Sequence, residues 1–246
     1  DAWYQLVTRV PRGWHGERIV LRLESATHAA VVWVDDTQVA EHEGGYMPFE
    51  ADVTDLVEPG GEARVTVVVN NVLSWQTIPP GYVVELSGGR RRQQVLFDFF
   101  NYAGLHRSVR LCTTPLTHLD DLTVTTGLDG TTGTVAYEAV LGGSGHGEIA
   151  VDVTLTDADG HEVARATGAS GELRVDDVHP WRPGEGYLYE LTVRLHDAAG
   201  DVVDEYPLPV GVRTVRVDGT RFLVNEEPFY FRGFGKHEDA AVRGKA

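Results

Sequence analysis

A single cysteine in 246 residues, Cys112, excludes an internal disulfide framework. It lies in the alternating stretch "SVRLCTT", where a small buried hydrophobe is the ordinary role. No run of about 18 apolar residues occurs, so no helical membrane span is expected and no membrane partner. No basic–apolar–small leader pattern opens the chain. With one thiol and no visible leader, a cytoplasmic location is the expectation. Cationic residues are scarce as well: 21 Lys and Arg stand against 37 Asp and Glu, a formal net charge of -16. A surface that acidic repels phosphate backbones, which argues against a nucleic-acid partner. The one basic run, Arg90-Arg91-Arg92 after Gly88-Gly89, reads as a solvated loop tip. Amphipathic helices of any length are also missing.

What is there reads as strand. Apolar content of 42% and charged content of 24% are those of a globular protein. "WYQLVTRV" places Tyr4, Leu6, Thr8 and Val10 on one face. "ERIVLRLE" places Ile19, Leu21 and Leu23 together. "ARVTVVVNN" aligns Val65, Val67 and Val69. "AAVVWVDDTQVAEH" is a strand, a turn at Asp35-Asp36 and a second strand, with Trp33 expected in the core. Period-2, Val-rich runs bounded by Gly, Pro, Asn and Asp indicate antiparallel sheets, and two packed sheets are the natural way to bury their apolar faces.

The texture changes near Thr113-Thr114-Pro115. Beyond it, turn signals recur at Leu128-Asp129-Gly130, Gly142-Gly143-Ser144-Gly145, Asp157-Ala158-Asp159-Gly160, Ser170-Gly171 and Ala198-Ala199-Gly200-Asp201. That spacing over about a hundred residues describes an immunoglobulin-like sandwich without the cysteine pair. "HPWRPGEGYLYELTV" is expected to form a stiff corner with a Tyr hydroxyl tied to backbone. The expected domains are therefore a β-sandwich over 1–115, an immunoglobulin-like sandwich over 116–216 and a third segment over 217–246.

That third segment, "GTRFLVNEEPFYFRGFGKHEDAAVRGKA", is a hairpin leading into a strand that ends in Lys236-His237-Glu238-Asp239. Polar side chains at the carboxyl end of a first strand are what an α/β barrel presents at its site. The expectation is that another domain begins here.

Four stretches resemble glycoside hydrolase family 2, in its β-glucuronidase branch. They are "WVDDTQVAEHEGGYMPFEADVT", the pair "NNVLSWQTIPPG" and "FDFFNYAGLHRSV", and "NEEPFYFRGFGKHEDAAVRGKA". The resemblance implies an all-β front part: a jelly-roll β-sandwich, then an immunoglobulin-like β-sandwich, then the start of a TIM barrel, trimmed at both ends. It implies a parent that hydrolyses β-D-glucuronides with retention, forms a homo-oligomer and needs no cofactor. Retention requires two carboxyl groups about 5–5.5 Å apart. In the family both are barrel glutamates, which this resemblance places beyond Ala246, so the chain alone is expected to be inert. Glu238 and Asp239 are no substitute, because neighbours on an extended segment point to opposite sides. Glu226-Glu227 read as solvated turn residues.

Two residues carry the resemblance toward substrate. Asp98, in the aromatic stretch "LFDFFNYAG", matches the aspartate that accepts hydrogen bonds from sugar hydroxyls; a loop carboxylate capping backbone amides is the plain alternative. Close relatives often have His immediately before it, where Phe97 stands here. His237 matches the histidine ending the first barrel strand, where one ring nitrogen can donate to a hydroxyl and the other accept; a structural histidine is its alternative. His237 has no partner at metal-ligand spacing, so no metal is expected. Competing readings are a family 2 β-galactosidase or β-mannosidase, a stand-alone sugar-binding jelly roll using Trp14, Trp33 or Trp75, and an adhesion module. "GFGKHED" argues against the last two.

Overall fold

The computed structural model describes residues 1–96, 101–143, 149–235, 239–240 and 244–245. Two compact units emerge, residues 1–114 (with the described residues beyond 238) and residues 115–237.

The first unit contains β1 (Ala2–Arg9), β2 (Arg18–Leu23), β3 (Ala29–Val34), β4 (Thr37–Glu43), β5 (Phe49–Asp52), β6 (Glu62–Asn70), β7 (Gly81–Leu86), β8 (Arg90–Val95) and β9 (Val109–Thr114). One antiparallel sheet runs β1-β6-β3-β4, a second runs β5-β2-β9, and β7-β8 is a separate hairpin. The alternation explains the core. Val32 and Val34 of β3, Val67 and Val69 of β6, and Leu21 and Leu23 of β2 are all buried in one cluster. The same alternation corrects the expectation for Trp33. It lies between Val32 and Val34 and so faces away from them; half-buried, it stacks on Trp3 with ring centroids 6.2 Å apart.

β1 is legible as a strand but is not buried like one. Trp3 is 72% exposed, and Leu6 and Val7 are exposed too. The face bearing Tyr4, Leu6 and Thr8 looks into an open cleft of about 700 Å³, whose far wall includes Leu21, Val109 and Leu111. The Arg90-Arg91-Arg92 run differs from the expected loop tip. It opens β8, with Arg90 opposite Leu86, and Ser87-Gly88-Gly89 form the turn. Cys112 is half-buried on β9 with Sγ 3.7 Å from the Val20 carbonyl, and burial pushes its thiol up.

The second unit contains β10 (His118–Asp129), β11 (Thr132–Gly142), β12 (Ala150–Thr156), β13 (Glu162–Thr167), β14 (Ser170–Val175), β15 (Tyr189–His196) and β16 (Val202–Val210). Sheets β10-β11-β14 and β13-β12-β15-β16 enclose Val135, Val153, Leu155, Leu173, Leu191 and Leu195. Pro207 and Pro209 are tolerated because β16 is an edge strand. The turn expected at Ser170-Gly171 falls two residues earlier: Ser170 opens β14, opposite Glu138. The corner behaves as read. The Tyr189 hydroxyl accepts from the His179 backbone N–H at 2.9 Å, and the Trp181 N–H bonds to the Val212 carbonyl.

A last hairpin contains β17 (Val215–Asp218), β18 (Arg221–Val224) and β19 (Glu227–Pro228). Its turn residues Asn225 and Glu226 both have positive φ, 50° and 64°, the pattern of a type I′ turn. Asn225 also holds the hairpin to the corner. Its Nδ2 donates to the Trp181 carbonyl at 3.0 Å, and its Oδ1 accepts from the Thr214 N–H at 2.9 Å. Glu226 is a turn residue, as read, but not a loose one, because Arg216 grips its carboxylate through two nitrogens; those hydrogen bonds hold the carboxyl below its usual range.

Candidate functional site

Asp98 lies in the short stretch 97–100 and His237 in 236–238, both outside the described residues, as does the side chain of Asp239. What the structure describes is the chain on either side of 97–100.

The N-terminal stem is β8 and the loop 71–80. Gln93 ties them together: its Oε1 accepts from the Leu73 N–H at 2.6 Å and its Nε2 donates to the Asn71 carbonyl at 3.1 Å. The Leu96 N–H bonds to the Pro80 carbonyl at 3.2 Å. Within the loop, Ser74 and Thr77 cap each other's backbone. Ser74 Oγ accepts from the N–H groups of Gln76 and Thr77, and Thr77 Oγ1 accepts from the Ser74 N–H. Such ST-turns hold a loop without secondary structure. Trp75, 70% exposed, projects from it and stacks on Tyr82 of β7.

The C-terminal stem, residues 101–106, lies on a buried polar strip made by Ser25, Thr27 and His28. Thr27 and Gly104 exchange backbone hydrogen bonds at 3.1 and 3.4 Å. Thr27 Oγ1 and Ser25 Oγ lie 2.9 and 3.3 Å from His106 Nδ1. His28 Nε2 donates to Asn101 Oδ1 at 2.7 Å, while Asn101 Nδ2 reaches the Asn71 carbonyl at 3.5 Å. This amide therefore bridges the two stems. Two glycines make the fit possible. Gly104 has φ +81°, and a Cβ there would sit 2.1 Å from the Tyr4 hydroxyl. A Cβ on Gly45 would come within 2.9 Å of Thr27 Cγ2 and 3.1 Å of His28 Nδ1.

His28 is 4% exposed, and its Nδ1 is buried with no hydrogen-bond partner among the described residues. Leaving a buried polar atom unsatisfied costs about 1–3 kcal/mol. Sequence reading passed over this strip. Its signal is "ESATH", a polar run between two strands with none of the Gly or Pro that an exposed loop would carry. Its partners are 73 and 79 residues away, which no local pattern reveals.

Two other features are concave or ligand-like and carry less. The cleft beside β1 has aromatic walls, and two of its polar side chains are engaged with neighbours. Gln5 Nε2 donates to Thr66 Oγ1, and Arg9 pairs with Glu62. Asp157, Asp159 and His161 come close enough to suggest a metal, a grouping that the sequence reading did not anticipate. Their arrangement is that of a hairpin turn. Asp157 Oδ1 accepts from the N–H groups of Asp159 and His161, and Asp197 Oδ1 does the same for Ala199 and Asp201 in a turn that has Asp201 where the first has His161. Hydrogen bonds from the backbone, chiefly from His161, hold the Asp157 carboxyl below its usual range.

The sheets of the two units and the terminal hairpin make an all-β, multi-domain chain, and comparison with known proteins gives its family. The profile for "Glycosyl hydrolases family 2, sugar binding domain" matches residues 1–115, that for "Glycosyl hydrolases family 2" matches 117–213, and the "TIM barrel domain" profile of the same family matches 215–246. The chain belongs to glycosyl hydrolases family 2. It is 50% identical to a β-glucuronidase of Paenibacillus borealis, over 100% of this chain and 41% of that protein. It is 48% identical to the β-glucuronidase of Canis lupus familiaris, over 99% of this chain and 40% of that one. Among solved structures, a β-glucuronidase from Ruminococcus gnavus in complex with D-glucaro 1,5-lactone superposes with a TM-score of 0.90 at 38% identity, covering 99% of this chain and 41% of that one. The chain thus spans about two-fifths of the length of these relatives.

Proposed function

We propose that this chain forms the non-catalytic front of a retaining β-glucuronidase and lends its substrate site two side chains, Asp98 and His237. The observation that carries the reading is the 50% identity to a β-glucuronidase along the whole of this chain. The clamped stems on both sides of 97–100 support it, since a loop that contacts substrate must be held by a rigid scaffold.

In this reading two barrel carboxyl groups perform the chemistry. One attacks the anomeric carbon, and the other first protonates the leaving oxygen and then activates water. Asp98 accepts hydrogen bonds from two neighbouring sugar hydroxyls, one on each oxygen, and the negative charge strengthens both. His237 adds a donor–acceptor contact to a further hydroxyl.

Expressed by themselves, these 246 residues release no p-nitrophenol from p-nitrophenyl β-D-glucuronide. The natural polypeptide that carries them cleaves it, and NMR of the first-formed sugar shows the β anomer. Turnover by the chain alone that Glu238→Gln abolishes, or an α-anomeric first product, contradicts the reading.

A further inference from the structure

We propose that the β7–β8 hairpin binds an acidic saccharide, a chain of sugar rings carrying carboxylates, on the face that bears Tyr82, Arg90 and Arg92 and beside which Trp75 lies. The proposal stands on the hairpin and needs no reading of Asp98. Three observations carry it.

First, one face of the hairpin gathers the cations. The antiparallel register sets Tyr82 opposite Gln94, Val84 opposite Arg92 and Leu86 opposite Arg90. Directly opposed residues share a face, and every second residue of a strand returns to it. Arg90 and Arg92 therefore lie on the Tyr82 face, about 7 Å apart along β8. No residue of the hairpin strands on that face is a carboxylate. Arg91 falls on the other face, opposite Glu85.

Second, these arginines have no internal use. Arg9, Arg18, Arg22 and Arg64 of the same unit each reach a carboxylate, at 3.4, 2.8, 2.9 and 2.6 Å. Arg90, Arg91 and Arg92 are exposed, and among the described residues no carboxylate pairs with them. That holds in a chain where Asp and Glu outnumber Lys and Arg by 37 to 21. Guanidinium groups kept clear of so many carboxylates remain available to an outside anion, which they hold through paired, charge-assisted hydrogen bonds.

Third, the same place offers flat rings. Trp75 and Tyr82 are both exposed, and their planes lie within 9° of parallel with centroids 6.2 Å apart. The negative face of an aromatic ring suits the partly positive C–H groups on one side of a pyranose. The platform is preformed, because Ser74 and Thr77 hold the loop that carries Trp75 and Gln93 ties that loop to β8.

Rings for sugar faces beside guanidinium groups for carboxylates fit an acidic saccharide. A single-stranded nucleic acid also combines flat rings with anions. Its dense charge, however, is repelled by a protein of net charge -16. Membership of a glycosyl hydrolase family favours the saccharide as well.

The test is calorimetric titration of the natural polypeptide with hexameric oligogalacturonate, which contains no β-glucuronidic bond. The acid binds, and its methyl ester, with the same rings and no charge, binds roughly tenfold more weakly. Hexameric oligoadenylate binds no better than the ester. Trp75→Ala and Arg92→Gln each weaken binding of the acid about fivefold, and melting is unchanged because both side chains are exposed. Arg91→Gln removes the same charge from the other face and stays within about twofold of wild type.

Failure of the acid to bind, equal binding of the ester or tighter binding of oligoadenylate overturns the proposal. So does an Arg91→Gln as costly as Arg92→Gln, which would reduce the effect to diffuse charge. If Trp75→Ala disturbs the loop, the two arginine variants decide.

Discussion

Asp98→Asn in the natural polypeptide lowers kcat/KM for a β-glucuronide about ten- to hundredfold and leaves the fold intact. Asparagine keeps the size and one acceptor oxygen but removes the charge. Hydrogen bonds to a charged group contribute roughly 1.5–3 kcal/mol, and each ~1.36 kcal/mol is a factor of ten in rate. The described stem contacts run through Gln93, Asn101, Thr27 and His28. On the reading that Asp98 serves substrate, melting moves by no more than about 0.5 kcal/mol, the usual range for a substitution outside a core. Near-normal kcat/KM with a large fall in melting temperature would make Asp98 a structural cap and the first unit scaffold only.

The second large effect concerns the terminal hairpin, and here the structure changes what the sequence suggests. Phe222, Phe229, Phe231 and Phe234 read as one apolar surface awaiting a partner, so ending the chain near Val215 should improve its behaviour. The hairpin has two sides, however. Phe231 and Phe234 are exposed, the latter 89%, whereas Leu223 and Val224 are buried and Asn225 is bonded to Trp181 and Thr214. Ending the chain at Val215 forfeits the burial of two aliphatic residues, about 1.5–3 kcal/mol each as an upper estimate. It also removes the Asn225 hydrogen bonds, worth about 1 kcal/mol each.

A loss of several kcal/mol lowers the melting temperature of a domain this size by more than about 10 °C. Ending it at Pro228 keeps Leu223, Val224 and Asn225 while removing the exposed Tyr230, Phe231 and Phe234 together with half-buried Phe229, so it raises solubility and lowers melting far less. Equal melting temperatures for the two shortened chains would show that Leu223, Val224 and Asn225 contribute nothing.

These outcomes trace how far the sequence could be read. Strands and their buried faces were legible wherever one rule sufficed: Val67 and Val69, or Leu21 and Leu23, follow from period 2 alone. Where two local signals competed, the pattern misled. Trp33 is large and apolar and reads as core, but the pleat that buries Val32 and Val34 turns it outward. Gly171 reads as a turn but lies within β14, opposite Tyr137. The exposure of β1 was not legible, because alternation says which residues share a face and not whether that face is covered.

The proposed site rests on resemblance alone. Asp98 and His237 came from motif likeness, and nothing in their local chemistry singles them out from a capping carboxylate or a structural histidine. The strip that holds one stem was illegible for a different reason. Thr27 and His28 find His106 and Asn101 across more than seventy residues, and such pairings arise from topology.

The most direct test of the whole account is the substrate preference of the natural polypeptide. Its kcat/KM for p-nitrophenyl β-D-glucuronide should exceed that for the corresponding β-D-galactoside by more than about a hundredfold, since a site built around a substrate's polar group rejects the analogue that lacks it. Comparable values, or a preference for the galactoside or mannoside, would contradict the account.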